Sequence, residues 1–115
     1  MAERTVSKDI STLNALAEPN RKAIVDLLRD GPLTVGEIAE RLGLRQPQAT
    51  KHLKVLTESG ILEVKADANR RFYRLRPEPF LSLDSWLKTF ARIMEERYEK
   101  LEDYLRELQK KESKS

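Results

Sequence analysis

The segment from Thr34 to Leu56 decides the fold, and it reads TVGEIAERLGLRQPQATKHLKVL. Thr34 with Glu37 three residues later predicts a capping box, in which each side chain bonds the backbone N–H of the other residue and a helix begins. Gly43 is expected to end this helix, because glycine readily adopts the left-handed conformation that closes one. Pro47 suits the first turn of a second helix. The segment therefore predicts a helix, a tight turn and another helix, the helix-turn-helix arrangement.

The residues before this segment predict two more helices. A short amphipathic helix over 5–17 is indicated by apolar residues at helical spacing, among them Ile10 and Leu13. Pro19 then suits the first turn of a second helix, which should end at Asp30-Gly31-Pro32.

The residues after the segment change their period. From Ile61 apolar and polar residues alternate, and after Asp67-Ala68-Asn69 they alternate again, which predicts one β-hairpin. Pro77 and Pro79 should end it. We expect a long helix over 80–108 and a disordered polar tail over 109–115. The 115 residues thus predict a single, mainly α-helical domain with a small hairpin, whose core spans 18–76.

Charge is concentrated in the middle of the chain. The net charge is +3, yet the stretch from Arg41 to Arg76 carries nine basic and three acidic residues. A basic centre with near-neutral ends is typical of a polyanion-binding site, and the alternative is a solvated charged face.

These motifs resemble the ArsR-type family of bacterial winged helix-turn-helix repressors. The resemblance rests on three stretches that read together, LAEPNR at 16–21, LTVGEIAERLGL at 33–44 and QPQATKHLKVL at 46–56. It implies a homodimer, held by its first and last helices, that binds double-stranded DNA at an inverted-repeat operator. The second helix of the pair would enter the major groove, and the hairpin, or wing, would reach the DNA backbone.

In the second helix Ala49, Leu53 and Leu56 recur at helical spacing and should point inward, which leaves polar and basic side chains on its open side. Glutamine can bond adenine at two points, lysine donates to guanine, and threonine offers a hydroxyl and a methyl group. We expect base contacts from Gln46, Gln48, Thr50 and Lys51, and contacts to the DNA backbone from Arg45, Lys54, Arg70 and Arg71. Arg45 departs from the family pattern of serine or threonine at this position. Its positive charge is unfavourable at the N-terminus of a helix, and a DNA phosphate bound there would offset that cost.

An apolar stripe on the last helix also indicates a dimer, with the alternative that this helix folds back on its own core. A final helix of about 28 residues would be about 42 Å long, more than a domain of this size can cover. Its stripe has an average spacing near 3.5 residues, which is typical of a helix packed along another helix. The expected interface residues are Ile10, Leu13, Leu87, Phe90, Met94, Tyr98, Leu101 and Leu105.

Other classes of function have little support. The chain has no cysteine and one histidine, so the metal-sensing sites that the family resemblance would bring are missing, and we expect neither a metal nor another cofactor. No nucleophile, phosphate-loop or metalloprotease motif is present, so we expect no enzyme and no catalytic residue. Apolar runs reach only three residues, against about 20 for a membrane span, which favours a cytoplasmic protein.

One alternative stays open. The same winged helix could serve as a protein-interaction module or bind DNA without sequence preference. An interaction face would more often expose aromatic residues and leucines than glutamine and threonine. The sequence does not give the operator, the regulated genes, the direction of regulation, or the identity of any effector or partner protein.

Overall fold

The computed structural model describes the backbone of residues 2–114 and the side chains of residues 8–112. Within this range the helices are α1 (Ala2–Leu16), α2 (Pro19–Leu27), α3 (Val35–Leu42), α4 (Gln46–Glu58), α5 (Pro77–Lys88) and α6 (Ala91–Lys114). The strands are β1 (Leu33–Thr34), β2 (Leu62–Asp67) and β3 (Arg70–Leu75). The mainly α-helical winged helix-turn-helix fold predicted from the sequence is confirmed.

The chain divides into two compact units on either side of the Ser82–Leu83 bond. The first unit holds the helix-turn-helix and the wing, and the second holds the end of α5 together with α6. None of the helices in the described range is long and apolar enough to cross a membrane.

The core of the first unit lies beneath α4. Burial of apolar surface is the main favourable term in folding. The fully buried side chains come from α4 itself and from the helices and the strand that surround it. They include Ile24 of α2, Ile38 of α3, Leu53 and Leu56 of α4, Leu62 of β2, and Ile61 immediately before that strand. The predicted inward residues of α4 are therefore confirmed, with Ala49, Leu53 and Leu56 fully buried.

The wing is a three-stranded antiparallel sheet in the order β1-β3-β2. Leu62 pairs with Leu75, and Asp67 pairs with Arg70 at the far end, so the predicted hairpin is confirmed. The sequence did not predict β1, in which Leu33 pairs with Tyr73, because two residues are too few to show a period.

The prediction of one final helix over 80–108 is wrong, since α5 and α6 are separated at Thr89 and Phe90. The Thr89 hydroxyl donates to the Trp86 carbonyl at 2.7 Å, and the backbone N–H of Phe90 bonds Leu87, three residues back, at 3.0 Å. A threonine hydroxyl that competes for a backbone carbonyl disturbs the regular ladder of helical hydrogen bonds. The apolar stripe continues across this break, which is why periodicity did not reveal it.

The two ends of the chain also differ from expectation. Helix α1 was predicted over 5–17 and runs from Ala2 to Leu16. The tail predicted to be disordered over 109–115 belongs to α6 as far as Lys114, and residue 115 lies outside the described range. Lysine, glutamine and glutamate have high helix propensity, so a polar segment of these residues readily extends an existing helix.

Candidate nucleic-acid interface

The turn between α3 and α4 fixes the direction in which α4 leaves the core. Thr34 Oγ1 accepts from the backbone N–H of Glu37 at 3.3 Å, and Glu37 Oε1 accepts from the backbone N–H of Thr34 at 3.0 Å. Gly43 has a φ of +65°, and the N–H of Leu44 bonds the carbonyl of Ala39 at 2.9 Å. The predicted capping box and glycine turn are both found, and they hold α4 so that one of its sides is exposed to solvent.

These contacts also set the ionisation of Glu37. Hydrogen bonds from the backbone and the hydroxyl of Thr34 lower the pKa of Glu37 below its usual value, burial opposes them, and the charges of Arg70 and Arg41 add to the lowering. Glu37 is therefore held as a carboxylate at the start of α3, where the helix dipole favours a negative charge.

Helix α4 begins without a capping side chain on its first flanking residue. Arg45 is extended, with a φ of −71° and a ψ of 144°, and its guanidinium contains no hydrogen-bond acceptor. Instead Gln48 Oε1 accepts from the backbone N–H of Arg45 at 3.1 Å. Arg45 is exposed beside the positive end of the helix dipole. An anion bound there would be attracted by both the guanidinium and the helix dipole.

The outer side of α4 carries the residues predicted to read bases. Each of the four is exposed, namely Gln46, Gln48, Thr50 and Lys51, and so is Lys54, predicted to contact phosphate. Thr50 Oγ1 donates to the carbonyl of Gln46 at 2.9 Å. Helix α4 thus has an exposed side with polar groups that can bond bases and two lysines, and an opposite side that is buried in the core.

The register of the wing separates its two predicted DNA-contacting arginines. Arg71 pairs with Ala66 and shares a strand face with Tyr73, whereas Arg70 shares the opposite face with Phe72. The guanidinium carbon of Arg70 lies 5.6 Å from the centroid of the Phe72 ring, a cation–π contact. Both arginines are exposed at the tip, and their different surroundings were not apparent from the sequence.

Two further wing residues modify the charge count made from the sequence. Arg74 is ion-paired with Glu63 across the hairpin, and Nε of Arg76 lies 3.5 Å from Oε2 of Glu78. In the part of the chain whose side chains are described, Arg71 has no ion pair. Sequence reasoning missed Glu63, although its place opposite Arg74 follows once the hairpin register is known.

The predicted interface residues of the first unit face away from its core. Among the described side chains of α1, Thr12 and Ala15 are buried, while Ile10 and Leu13 are 51% and 42% exposed. Ile10 and Leu13 thus form an uncovered apolar stripe on α1, whereas Leu16 packs against the core.

The second unit carries a similar uncovered stripe. Its exposed large side chains include all six predicted positions, Leu87, Phe90, Met94, Tyr98, Leu101 and Leu105. Trp86 packs its ring edge-on against Phe90 at a centroid distance of 5.4 Å. Scattered exposed apolar residues are normal, but a stripe of this length is typical of an interaction surface.

Metal ligands do not assemble in the described range. No group of three or more histidine, cysteine, aspartate or glutamate side chains there is placed to hold a metal ion. The one histidine, His52, lies half-buried on α4 beside Glu18, the N-cap of α2. The sequence did not predict this pairing.

Comparison with known proteins agrees with this geometry. A family profile described as "Helix-turn-helix domain" matches residues 16–65. The HTH-type transcriptional regulator Rv2034 of Mycobacterium tuberculosis is 40% identical over 76 residues, which are 66% of this chain and 71% of that protein. The biofilm growth-associated repressor of Xylella fastidiosa is 36% identical over 73 residues, which are 64% of each chain and so slightly less than two thirds of the relative.

A solved structure extends the similarity to the fold. It is the homodimeric winged helix-turn-helix DNA-binding domain of Mb0332 from Mycobacterium bovis, described as a possible ArsR-family transcriptional regulator. The two chains superpose with a TM-score of 0.62 and 28% identity, over 76% of this chain and 81% of the other. The similarity thus includes both the helix-turn-helix and the wing.

Proposed function

This chain belongs to the ArsR-type family of winged helix-turn-helix transcriptional regulators, and we propose that it represses transcription as a homodimer on an inverted-repeat operator. One observation carries the proposal, namely the exposed polar face of α4. Basic residues lie next to this face, and the capped α3 and its glycine turn fix the position of α4. Polar side chains that match base edges distinguish a DNA-reading helix from a protein-binding one.

Base reading and backbone binding fall to different residues. Gln46, Gln48, Thr50 and Lys51 face outward along α4 and contact bases in the major groove. Arg45 and Lys54 on α4, with Arg70 and Arg71 on the wing, contact phosphates. The phosphate contacts set the position of the protein and supply affinity that falls as salt is added.

The dimer places two recognition helices on one face of the DNA. The uncovered stripes on α1 and in the second unit give a second copy an apolar surface to bury, and the Mycobacterium bovis neighbour is itself homodimeric. A two-fold axis requires an operator with two-fold symmetry, with half-sites about one helical turn, roughly 34 Å, apart. The protein acts in the cytoplasm, where its DNA lies.

Selection from a library of random DNA duplexes tests this function. The full chain should enrich a symmetric sequence whose half-site centres are about 10 base pairs apart. Enrichment of one unrepeated motif would contradict the dimer, and the absence of enrichment would contradict sequence-specific binding. A variant with Gln46, Gln48 and Thr50 all changed to Ala serves as the matched control and should enrich nothing.

A further inference from the structure

Two of the side chains on the outer face of α4 already use part of their hydrogen-bonding capacity within the helix. Gln48 Oε1 accepts from the backbone N–H of Arg45 at 3.1 Å, and Thr50 Oγ1 donates its proton to the carbonyl of Gln46 at 2.9 Å. The side chain of Gln46 makes no hydrogen bond in the described part of the chain. The three residues therefore offer DNA different groups from those that their residue types alone suggest.

We propose that these internal bonds assign a different base to each residue. Gln48 reads guanine through its amide N–H groups, Thr50 reads thymine through its methyl group, and Gln46 keeps both amide groups for adenine. This assignment rests on the DNA binding proposed above and adds the chemistry of the half-site.

The assignment of Gln48 follows from the direction of its hydrogen bond. A backbone N–H is a donor, so the atom that faces it must be the amide oxygen, and the amide nitrogen is left to point elsewhere. Guanine presents two acceptors, N7 and O6, in the major groove, whereas paired recognition of adenine needs an acceptor beside the donor. To read adenine in this way, Oε1 of Gln48 would have to accept a second hydrogen bond, whereas contact with guanine uses only the amide N–H groups that the bond to Arg45 leaves free.

The identity of residue 48 supports this assignment. A glutamate at the third position of a helix would accept the same hydrogen bond and would also interact favourably with the helix dipole. Glutamine gives up that charge and keeps an amide nitrogen with two protons. The exposed amide of Gln48 is thus the feature that local helix stability does not require.

The assignment of Thr50 follows from its own helix. Its hydroxyl proton is engaged by the Gln46 carbonyl, so Thr50 has no free donor for a base, and its exposed side chain offers the methyl group and the acceptor lone pairs of Oγ1. The C5-methyl of thymine is the apolar group that the major groove presents. Contact between two methyl groups removes both from water without a further hydrogen bond.

Thymine-to-uracil exchange tests the role of Thr50, because uracil lacks only the methyl group. In the selected duplex each half-site thymine is replaced in turn by uracil. At one position the wild type should bind roughly fourfold more weakly, the loss expected for one methyl group. Thr50→Ser should lose less than twofold at that position, and Thr50→Val should bind the thymine duplex more tightly than Thr50→Ser. Equal wild-type affinity for every uracil duplex would overturn this assignment.

Repeating the selection with single variants tests the roles of the two glutamines. Gln48→Met should lose a guanine preference at one half-site position, while the matched control Gln46→Met should lose an adenine preference at another. Gln48→Glu retains the bond to Arg45 and should also lose the guanine preference, which separates base reading from helix capping. Loss of an adenine preference in Gln48→Met would overturn the assignment. If the wild type selects no sequence, the proposed function fails together with it, whereas a selected operator with another base pattern overturns the assignment alone.

Discussion

Nδ1 of His52 on α4 lies 3.6 Å from Oε2 of Glu18, which precedes α2. The same carboxylate oxygen accepts from the backbone N–H of Arg21 at 2.8 Å and so caps α2. Burial raises the pKa of Glu18, but hydrogen bonds from the backbone of Arg21 and Asn20 and the charge of His52 lower it, and the net change is a lowering. One carboxylate thus joins the start of α2 to the candidate recognition helix.

Glu18→Gln should make the fold less stable at neutral pH, with an effect that disappears in acid. A carboxylate whose pKa is lowered by folding contributes stability above its unfolded pKa, ordinarily 4.5, and loses it as the pH falls through the folded value. Urea unfolding between neutral pH and about pH 3 should therefore show the wild type and the variant converging below pH 4.5. A constant difference across this range would show that the charge of Glu18 does not contribute. Glu40→Gln, which removes an exposed carboxylate that caps no helix, is the control.

Changing Leu101 and Leu105 together to Glu should dissociate the dimer. Both leucines are about half exposed in the single chain, at 52% and 49%, and two carboxylates in the apolar stripe of α6 would be costly to bury. Sedimentation at micromolar concentration should show a dimer for the wild type and a 13.3 kDa species for the variant. Lys100→Glu, which alters a charged exposed residue on the same helix, should remain dimeric. A wild type that sediments only as a monomer would contradict the dimer.

Arg71→Ala should weaken binding to operator and to random DNA alike, and Arg74→Ala should weaken both less. Arg71 has no ion pair among the described side chains, whereas Glu63 already neutralises Arg74. The proposed dimer would lose two phosphate contacts, one from each protomer, which should reduce the slope of log affinity against log salt by about 1.8. Fluorescence anisotropy of labelled duplexes over a salt series measures this slope. Equal slopes for wild type and Arg71→Ala would remove Arg71 from the backbone contacts.

Metal ions should leave operator binding unchanged. The chain has no cysteine and one histidine, while arsenite and cadmium favour thiolates and zinc favours several nitrogen or sulfur ligands. In the proposed dimer the two copies of His52 lie on separate recognition helices, about one DNA turn apart, and are too distant to share an ion. Titration of the protein–operator complex with zinc, cadmium and arsenite at micromolar concentration checks this. A stoichiometric ion that weakens binding more than tenfold would contradict it.

Local signals in the sequence predicted the parts of the fold that local interactions stabilise. The capping box of Thr34 and Glu37, the left-handed Gly43 and the alternation of β2 and β3 each depend on residues close together in the chain, and all three are present. The inward residues of α4 followed from helical spacing for the same reason.

Contacts between distant residues could not be predicted in this way. Ser82 donates to Asp9 across 73 residues at 2.7 Å, and no periodicity relates the two. The pairing of His52 with Glu18 likewise joins residues that are far apart in the chain. The break at Thr89 is local, but the apolar stripe continues across it and periodicity does not show it. At the candidate interface, the sequence identified the exposed residues of α4, but the hydrogen bonds that occupy Gln48 and Thr50 required coordinates.

The most direct test of the account is the ratio of two dissociation constants, measured for the full wild-type chain at one physiological salt concentration. One is for the selected inverted-repeat duplex, and the other is for a scrambled duplex of the same length and composition. A sequence-specific repressor should bind its operator at least about 1,000-fold more tightly. A ratio near one would contradict sequence-specific recognition by α4 and would leave a winged helix that binds DNA through charge alone.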